Sequence, residues 1–309
     1  MTGFVIPDDV VQMVRNAGGA TGRAWLAAVP GMVAEFAARW ELSLGPPFEG
    51  GCVAWVAPAE RADGSRVVLK VSFVDEETRH EAAALALWAG RGGVRLLDAE
   101  PERGAMLLER LEPGTPLLDH QDLGEAVSIG CGVLRRLWRP LPTGHPFALV
   151  HDLATGWASE LPETWERLGR PFERVLLDTA VAWCAELATA EELVLVNRDF
   201  HLGNVLAAER EPWLAIDPKP LAGERAFDTG HLLRSTLRER PDQARLNHLV
   251  EQFAGELALD PARIRAWALV RSVEDALWGL GSGQTDGAWD VACARLLHHG
   301  TAERAGPYS

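Results

Sequence analysis

Lysine is almost missing from this 309-residue chain: of 30 basic side chains, only Lys70 and Lys219 are lysine. A GC-rich genome produces such a bias, and it makes each surviving lysine a candidate for a task that needs a compact ammonium and not a planar guanidinium. Basic charge is scarce as a whole, with 30 basic against 44 acidic side chains and a net charge of −14. That deficit argues against nucleic acid and against an anionic membrane surface as partners, and favours a cationic small molecule. The four cysteines, Cys52, Cys131, Cys184 and Cys293, are far apart and form no CxxC pair, which excludes a disulfide framework and a cysteine zinc site. No apolar run approaches the roughly 20 residues needed to span a bilayer. The opening MTGFVIPDDVVQMVRN has neither the basic nor the apolar region of a secretory signal, so a cytoplasmic location is expected. Asparagine is rare too, and two of its four occurrences, Asn197 and Asn204, fall within eight residues.

The remaining composition, 47% hydrophobic and 24% charged, is that of a globular chain long enough for one large domain or two modest ones. Residues 1–45 read as helical, up to Pro46-Pro47. Strand-like runs follow at Cys52–Ala57 and Arg66–Phe73, around a turn at Asp63-Gly64. Glu76–Ala89 has helical periodicity, and Val94–Leu97 and Ala105–Leu108 flank a turn at Pro101–Gly104. Beyond Gly114 the pattern is mostly helical to about residue 192. Two short strands, Leu193–Val196 and Trp213–Ile216, precede a helical remainder. The reading is an α+β protein of two lobes: a small β-rich N-lobe over 1–108, a hinge at 109–112, and a larger α-helical C-lobe over 113–309.

The densest polar cluster is Asn197-Arg198-Asp199-Phe200-His201-Leu202-Gly203-Asn204, followed by Ala215-Ile216-Asp217-Pro218-Lys219. An apolar strand, a polar loop, a second strand and an acidic exit form a unit suited to phosphoryl transfer. One carboxylate aligns the attacking hydroxyl, while an amide oxygen and a second carboxylate hold Mg²⁺ on the phosphates. A surface turn rich in Asx residues is the plainer alternative. On Val67–Phe73, alternation puts Val67, Leu69, Val71 and Phe73 on one face and Lys70 on the other, with Val68 and Ser72. Helical spacing places Glu77, Glu81, Leu85 and Trp88 on one stripe, so Glu81 is positioned to pair with Lys70, and Glu77 is its rival. Glu49-Gly50-Gly51 offers backbone that can approach phosphate, and Glu109-Arg110-Leu111 lies where a hinge would offer backbone groups to an adenine edge.

Taken in order, Gly-Gly, strand lysine, helix glutamate, hinge, Asp-x₄-Asn and Asp resemble the aminoglycoside phosphotransferase family, whose fold is protein-kinase-like. The segments GGCVAWVAPAERADGSRVVLKVSF, LLERLEPGTPL and GNVL…WLAIDPKPLAGERAFD are similar to its streptomycin 6-kinase and hydroxyurea-kinase branch. The resemblance covers about Gly50 to Leu233. It implies ATP and Mg²⁺ as cofactors and Asp199 as the catalytic base or hydroxyl-orienting residue. It further implies Asn204 and Asp217 as metal ligands, Lys70 on the phosphates braced by Glu81, and Gly50, Gly51 and residues 109–111 around the nucleotide. The implied reaction is transfer of the γ-phosphate to a hydroxyl of an aminoglycoside, foremost streptomycin. Asp228, in Gly-Glu-Arg-Ala-Phe-Asp, is read as bracing the loop.

Two positions depart from the family pattern: Asn197-Arg198 stands where the common loop has His-Gly, and Lys219 where many relatives carry a second acid. Lys219 is read as offsetting phosphate charge, and Arg198 as added bulk and charge beside the base. The alternatives are therefore a nucleotide-binding pseudokinase, or a kinase of another metabolite or of a hydroxyurea-like compound. A hydrolase metal site at Asp199, His201 and Asp217 lacks a second histidine at ligand spacing. For an acceptor the sequence offers Trp157 and Trp278 to line a sugar pocket and Glu274, Asp275 and Asp286 to meet its cationic groups, with core tryptophans and exposed helix acids as the plainer reading; the oligomeric state is left open.

Overall fold

The computed structural model describes residues 4–50, 53–238, 241–283 and 285–302. The chain opens with a long helix α1 (Asp8–Arg39), broken at Gly19, whose φ of 52° and ψ of −122° are closed to residues bearing a Cβ. Then come β1 (Leu42–Leu44), β2 (Ala54–Arg61), β3 (Arg66–Ser72), α2 (Glu81–Trp88), β4 (Leu96–Glu100) and β5 (Ala105–Glu109). These five strands form one antiparallel sheet in the order β1-β2-β3-β5-β4. The hairpin expected around Asp63-Gly64 is β2–β3, in register from Ala54↔Ser72 to Glu60↔Arg66. Val67, Leu69 and Val71 are buried against Val29, Val33 and Phe36 of α1, together with Trp55 and Leu107. Alternation along β3 therefore commits one face to the apolar core and turns Lys70 to the other.

After β6 (Pro113–Pro116), the chain runs through α3 (Leu123–Leu137), α4 (Val150–Arg167) and α5 (Arg174–Leu187). The short strands β7 (Val194–Asn197), β8 (Val205–Ala208), β9 (Trp213–Ala215) and β10 (Pro220–Gly223) follow, then α6 (Ala226–Leu237), α7 (Gln243–Leu257), α8 (Pro261–Ser282) and α9 (Ala288–Ala302). The chain separates into two compact units. One comprises the described residues up to Thr115 together with Ala207–Lys219; the other comprises Pro116–Leu206 and the described residues from Pro220 onward. This differs from the simple division at 109–112 read from the sequence, because thirteen residues return to the first unit. Hydrogen bonds fix that return: Val94 N donates to Ala215 O (2.8 Å) and Ala215 N to Gly92 O (2.9 Å).

In the second unit α8 is the central element. Ile264, Trp267, Leu269, Val270, Val273 and Leu277 are buried, and α5, α6 and α9 pack around them. The α8 N-terminus is capped by Asp260, whose Oδ1 accepts from Ala262 N (2.8 Å), with Pro261 at the first helical position. β7 and β10 pair antiparallel from Pro220↔Asn197 to Gly223↔Val194, which fixes both ends of the polar loop between them in sequence. β10, the partner of β7, and β8, which lies between β6 and β9 in a separate sheet, escape the sequence reading because each is four residues long and β10 opens with Pro220. Among the described residues no helix is long and apolar enough to cross a membrane.

Candidate active site

In the first unit, Lys70 Nζ lies 2.5 Å from Glu81 Oε1 and 2.9 Å from Asp217 Oδ1. Lys70 and Glu81 are buried, whereas the Asp217 side chain is 47% exposed. Burial favours the neutral amine, but Asp217 and Glu81 outweigh it and hold the ammonium protonated, its pKa above the ordinary lysine value. Burial pushes Glu81 up to about 7, against the pull of Lys70. The rival Glu77 is not on α2 at all. Asp75 Oδ1 accepts from the backbone N of Glu77 and of Thr78 (both 2.9 Å), and this turn delays the helix to Glu81. Glu77 instead pairs with Lys219, 3.0 Å away. Asp217 has φ 51°, a left-handed backbone conformation that aspartate tolerates better than most side chains, directly before Pro218.

The residue that holds this return segment in place is Arg210, which sequence reasoning did not single out. Its guanidinium donates to Glu109 (Nε to Oε2, 3.0 Å; Nη2 to Oε1, 2.5 Å), to Gly90 O (2.7 Å), to Gly93 O (3.1 Å) and to Glu211 (2.9 Å). The hydrogen bond to Glu109 holds the Arg210 guanidinium above its ordinary value. Glu109 thus contributes its carboxylate to bracing, while its backbone pairs with Val67. Arg110 Nε lies 3.2 Å from Glu112 Oε1, and Leu111 follows it beyond the end of β5. Gly50 N donates to Asp9 Oδ2 (2.7 Å), and Gly51 lies outside the described residues.

In the second unit, Asn197 ends β7 and its Oδ1 accepts from Asp199 N (3.1 Å), an Asx turn that sets the loop. Asn204 Nδ2 donates to Asp199 O (3.1 Å), which leaves Oδ1 of Asn204 as the atom that offers lone pairs to a cation. His201 Nδ1 accepts from Gly203 N (3.0 Å), and a Cβ at Gly203 would lie 2.9 Å from that ring, so any larger residue there would have to displace the imidazole. Below the loop, Asp228 on α6 accepts from Asn197 N (2.6 Å) and Trp138 Nε1 (2.7 Å). Burial pushes Asp228 up to about 8 despite those two donors. Asp228 therefore braces the loop from beneath.

Arg198 extends to Trp157 on α4 and Glu274 on α8. Its guanidinium stacks over Trp157, 5.7 Å from the ring centre, and Nη2 reaches Glu274 Oε1 at 3.2 Å. Arg271 lies over the same indole (5.6 Å) and donates to Glu274 Oε2 (2.9 Å); it also lies 3.5 Å from Asp275, while Arg234 pairs with both Asp275 and Asp290. Three arginines and three carboxylates thus form one largely buried network. Burial pushes Glu274 up to about 7, whereas for Asp275 it is outweighed by Arg271 and Arg234, which hold the carboxyl well below its ordinary value. The sequence reading set Glu274 and Asp275 to receive a cationic substrate and Trp157 to line a sugar pocket; in the structure all three meet arginines of the chain itself. Trp278 stands apart on α8, 49% exposed.

The second histidine that the hydrolase alternative lacked comes from α6: Asp199, His201 and His231 each bring a ligand-type atom within 4.8 Å of the others. The lone pair of His201 Nδ1 is committed to Gly203 N–H, however, so its Nε2 carries the proton and the ring as placed is a donor, not a ligand.

Comparison with known proteins gives this constellation its family. Residues 39–283 match the family model described as aminoglycoside/hydroxyurea antibiotic resistance kinase. The chain belongs to that kinase family. Among relatives of this kinase, a hydroxyurea phosphotransferase from Kitasatospora aureofaciens is 41% identical over 282 residues, covering 90% of this chain and 81% of its own. A streptomycin 6-kinase from Streptomyces glaucescens is 38% identical over 296 residues, covering 94% and 95%. Among solved structures, a thermostable mutant of aminoglycoside phosphotransferase APH(4)-Ia, in a ternary complex with ADP and hygromycin B, has the same fold (TM-score 0.62, 18% identity, 89% of this chain and 99% of that one). This kinase thus has a protein-kinase-like fold, with a β-sheet first unit and a largely helical second unit.

Proposed function

We propose that this kinase transfers the γ-phosphate of ATP, with Mg²⁺, to a hydroxyl of a streptomycin-like aminoglycoside. The observation that carries the reading is the loop from Asn197 to Asn204. One side chain sets the backbone of Asp199, and a second is fastened to its carbonyl with an oxygen to spare. Asp199 aligns the acceptor hydroxyl and takes its proton as the oxygen–phosphorus bond forms and ADP departs. Lys70, kept charged by Glu81 and Asp217, is assigned to the α- and β-phosphates. Asn204 and the half-exposed Asp217 each offer the kind of oxygen donor that suits a hard cation. Mg²⁺ held by such donors would neutralise charge that develops on the phosphates. Gly50 and residues Glu109–Leu111 are assigned to the nucleotide through backbone groups, and Lys219, paired with Glu77, to the edge of the phosphate region.

The streptomycin reading draws support from the 38% identical relative, which spans nearly the whole chain, and from the net charge of −14, which favours a cationic acceptor. The 41% identical hydroxyurea phosphotransferase supports a second acceptor, the hydroxyl of hydroxyurea. The pseudokinase reading was motivated by Arg198, and the contacts of that side chain with Trp157 and Glu274 favour the kinase reading over it. Mass spectrometry of streptomycin and of hydroxyurea, each incubated with enzyme, ATP and Mg²⁺, tests the proposal. One phosphoryl group is expected on streptomycin, and none with Asp199→Asn, which retains nucleotide binding by calorimetry. Turnover by Asp199→Asn would remove the central assignment, and phosphorylation of hydroxyurea alone would replace the acceptor.

A further inference from the structure

α6 does two things for the loop above it. Asp228 holds the backbone at Asn197, and three residues further on, on the same side of the helix, His231 presents Nε2 3.7 Å from Asp199 Oδ1. The opposite ring nitrogen, Nδ1, is buried and has no hydrogen-bond partner among the described residues. A proton there would be an orphaned buried donor, so the proton belongs on Nε2, the atom that faces Asp199. We propose that His231 is a positioning residue for Asp199, its Nε2–H holding the carboxylate in the orientation that receives the proton of the acceptor hydroxyl.

The inference rests on Asp199 being the carboxylate that handles the acceptor. The groups that face the imidazole are Arg234 from its own helix, Arg271 and Asp275 from α8, and His201 and Asp199 from the loop. Burial, then Arg234 and Arg271, hold His231 well below the ordinary histidine value, so the ring is neutral. A neutral donor orients the carboxylate without reducing its basicity as a full cation would. The 3.7 Å separation is longer than a hydrogen bond, and contacts of this type tighten when substrate closes the site.

Steady-state kinetics of His231→Leu, His231→Gln and His231→Asn test the assignment, with Asp199→Asn as the reference. Glutamine places an amide N–H where Nε2 stands; asparagine places it at the Nδ1 position, out of reach. His231→Leu is expected to lower kcat by at least about tenfold with the KM for ATP unchanged, and His231→Gln to stay within about threefold of wild type. Should the leucine variant fail to fold, the glutamine and asparagine variants decide: rescue by glutamine alone supports the proposal, and equal losses overturn it. A wild-type kcat in His231→Leu, beside an inactive Asp199→Asn, overturns this inference and leaves the catalytic assignment standing. Turnover by Asp199→Asn overturns the assignment on which both rest.

Discussion

Removing Arg210 is expected to loosen the segment that carries Asp217. The side chain is 22% exposed and makes a bidentate contact to Glu109, itself 17% exposed, as well as two bonds to backbone carbonyls at Gly90 and Gly93. A hydrogen bond to a charged partner contributes roughly 1.5–3 kcal/mol and a neutral one about 1, without simple additivity. Partial exposure lets water replace some of these contacts, and Glu109 keeps the Arg95 N–H (3.0 Å) as a donor. Arg210→Ala should therefore cost about 2–4 kcal/mol, or a Tm fall of roughly 5–12 °C for a unit of this size. Arg210→Lys keeps the charge but loses the fork, and about half of that cost is expected. Urea unfolding followed by far-ultraviolet circular dichroism measures both. A double-mutant cycle with Glu109→Gln should return a coupling of about 1–2 kcal/mol. If Arg210→Ala unfolds within about 0.5 kcal/mol of wild type, the return segment is held by something other than this contact and the reasoning is wrong.

Two further outcomes follow from the second unit. Asp228 has a folded pKa of about 8 against an ordinary 3.8, so the unfolded chain releases its proton first and the folded state loses stability as pH rises between those values. The stability of Asp228→Asn relative to wild type should accordingly rise from about pH 4 to about pH 8, and a difference independent of pH, measured by urea titration, would contradict a protonated Asp228. Arg198→Gly, which restores the residue common at this place in the family, leaves Glu274 with Arg271 as its counter-ion; a loss of about 1–3 kcal/mol in thermal unfolding is expected, and unchanged stability would show that the Trp157–Glu274 seat is idle.

Lys70 and Glu81 were legible because the sequence holds two lysines and because strand alternation and helical spacing are local properties. The loop from Asn197 to Asn204 was legible because its geometry is set by side chains two to five residues apart. Arg210 was not, being one of 28 arginines whose role depends on a segment returning to pair with Gly92 and Val94, about 120 residues away in sequence. The acids on α8 were misread for a related reason. Their spacing shows that they share a helix face, but nothing local shows that Arg198, Arg234 and Arg271 reach the same place from two other directions and from α8 itself. The start of α2 failed on one side chain, since Asp75 intercepts the first N–H groups of an otherwise helical pattern. His231 gave no signal at all in one dimension.

The return of Ala207–Lys219 has a consequence for how the molecule is made. The first unit is not a continuous stretch of polypeptide: some ninety residues of the second unit separate Thr115 from its last portion. On a ribosome, the sheet of β1–β5 emerges long before Arg210 and Asp217 do, at a rate of about 5–20 residues per second. During that interval Lys70 and Glu81 are a buried pair without their third partner, and Glu109 is without its clamp. The first unit of this kinase is thus completed only after the loop from Asn197 to Asn204 has been synthesised, so a chain truncated before residue 207 lacks the means to finish either half.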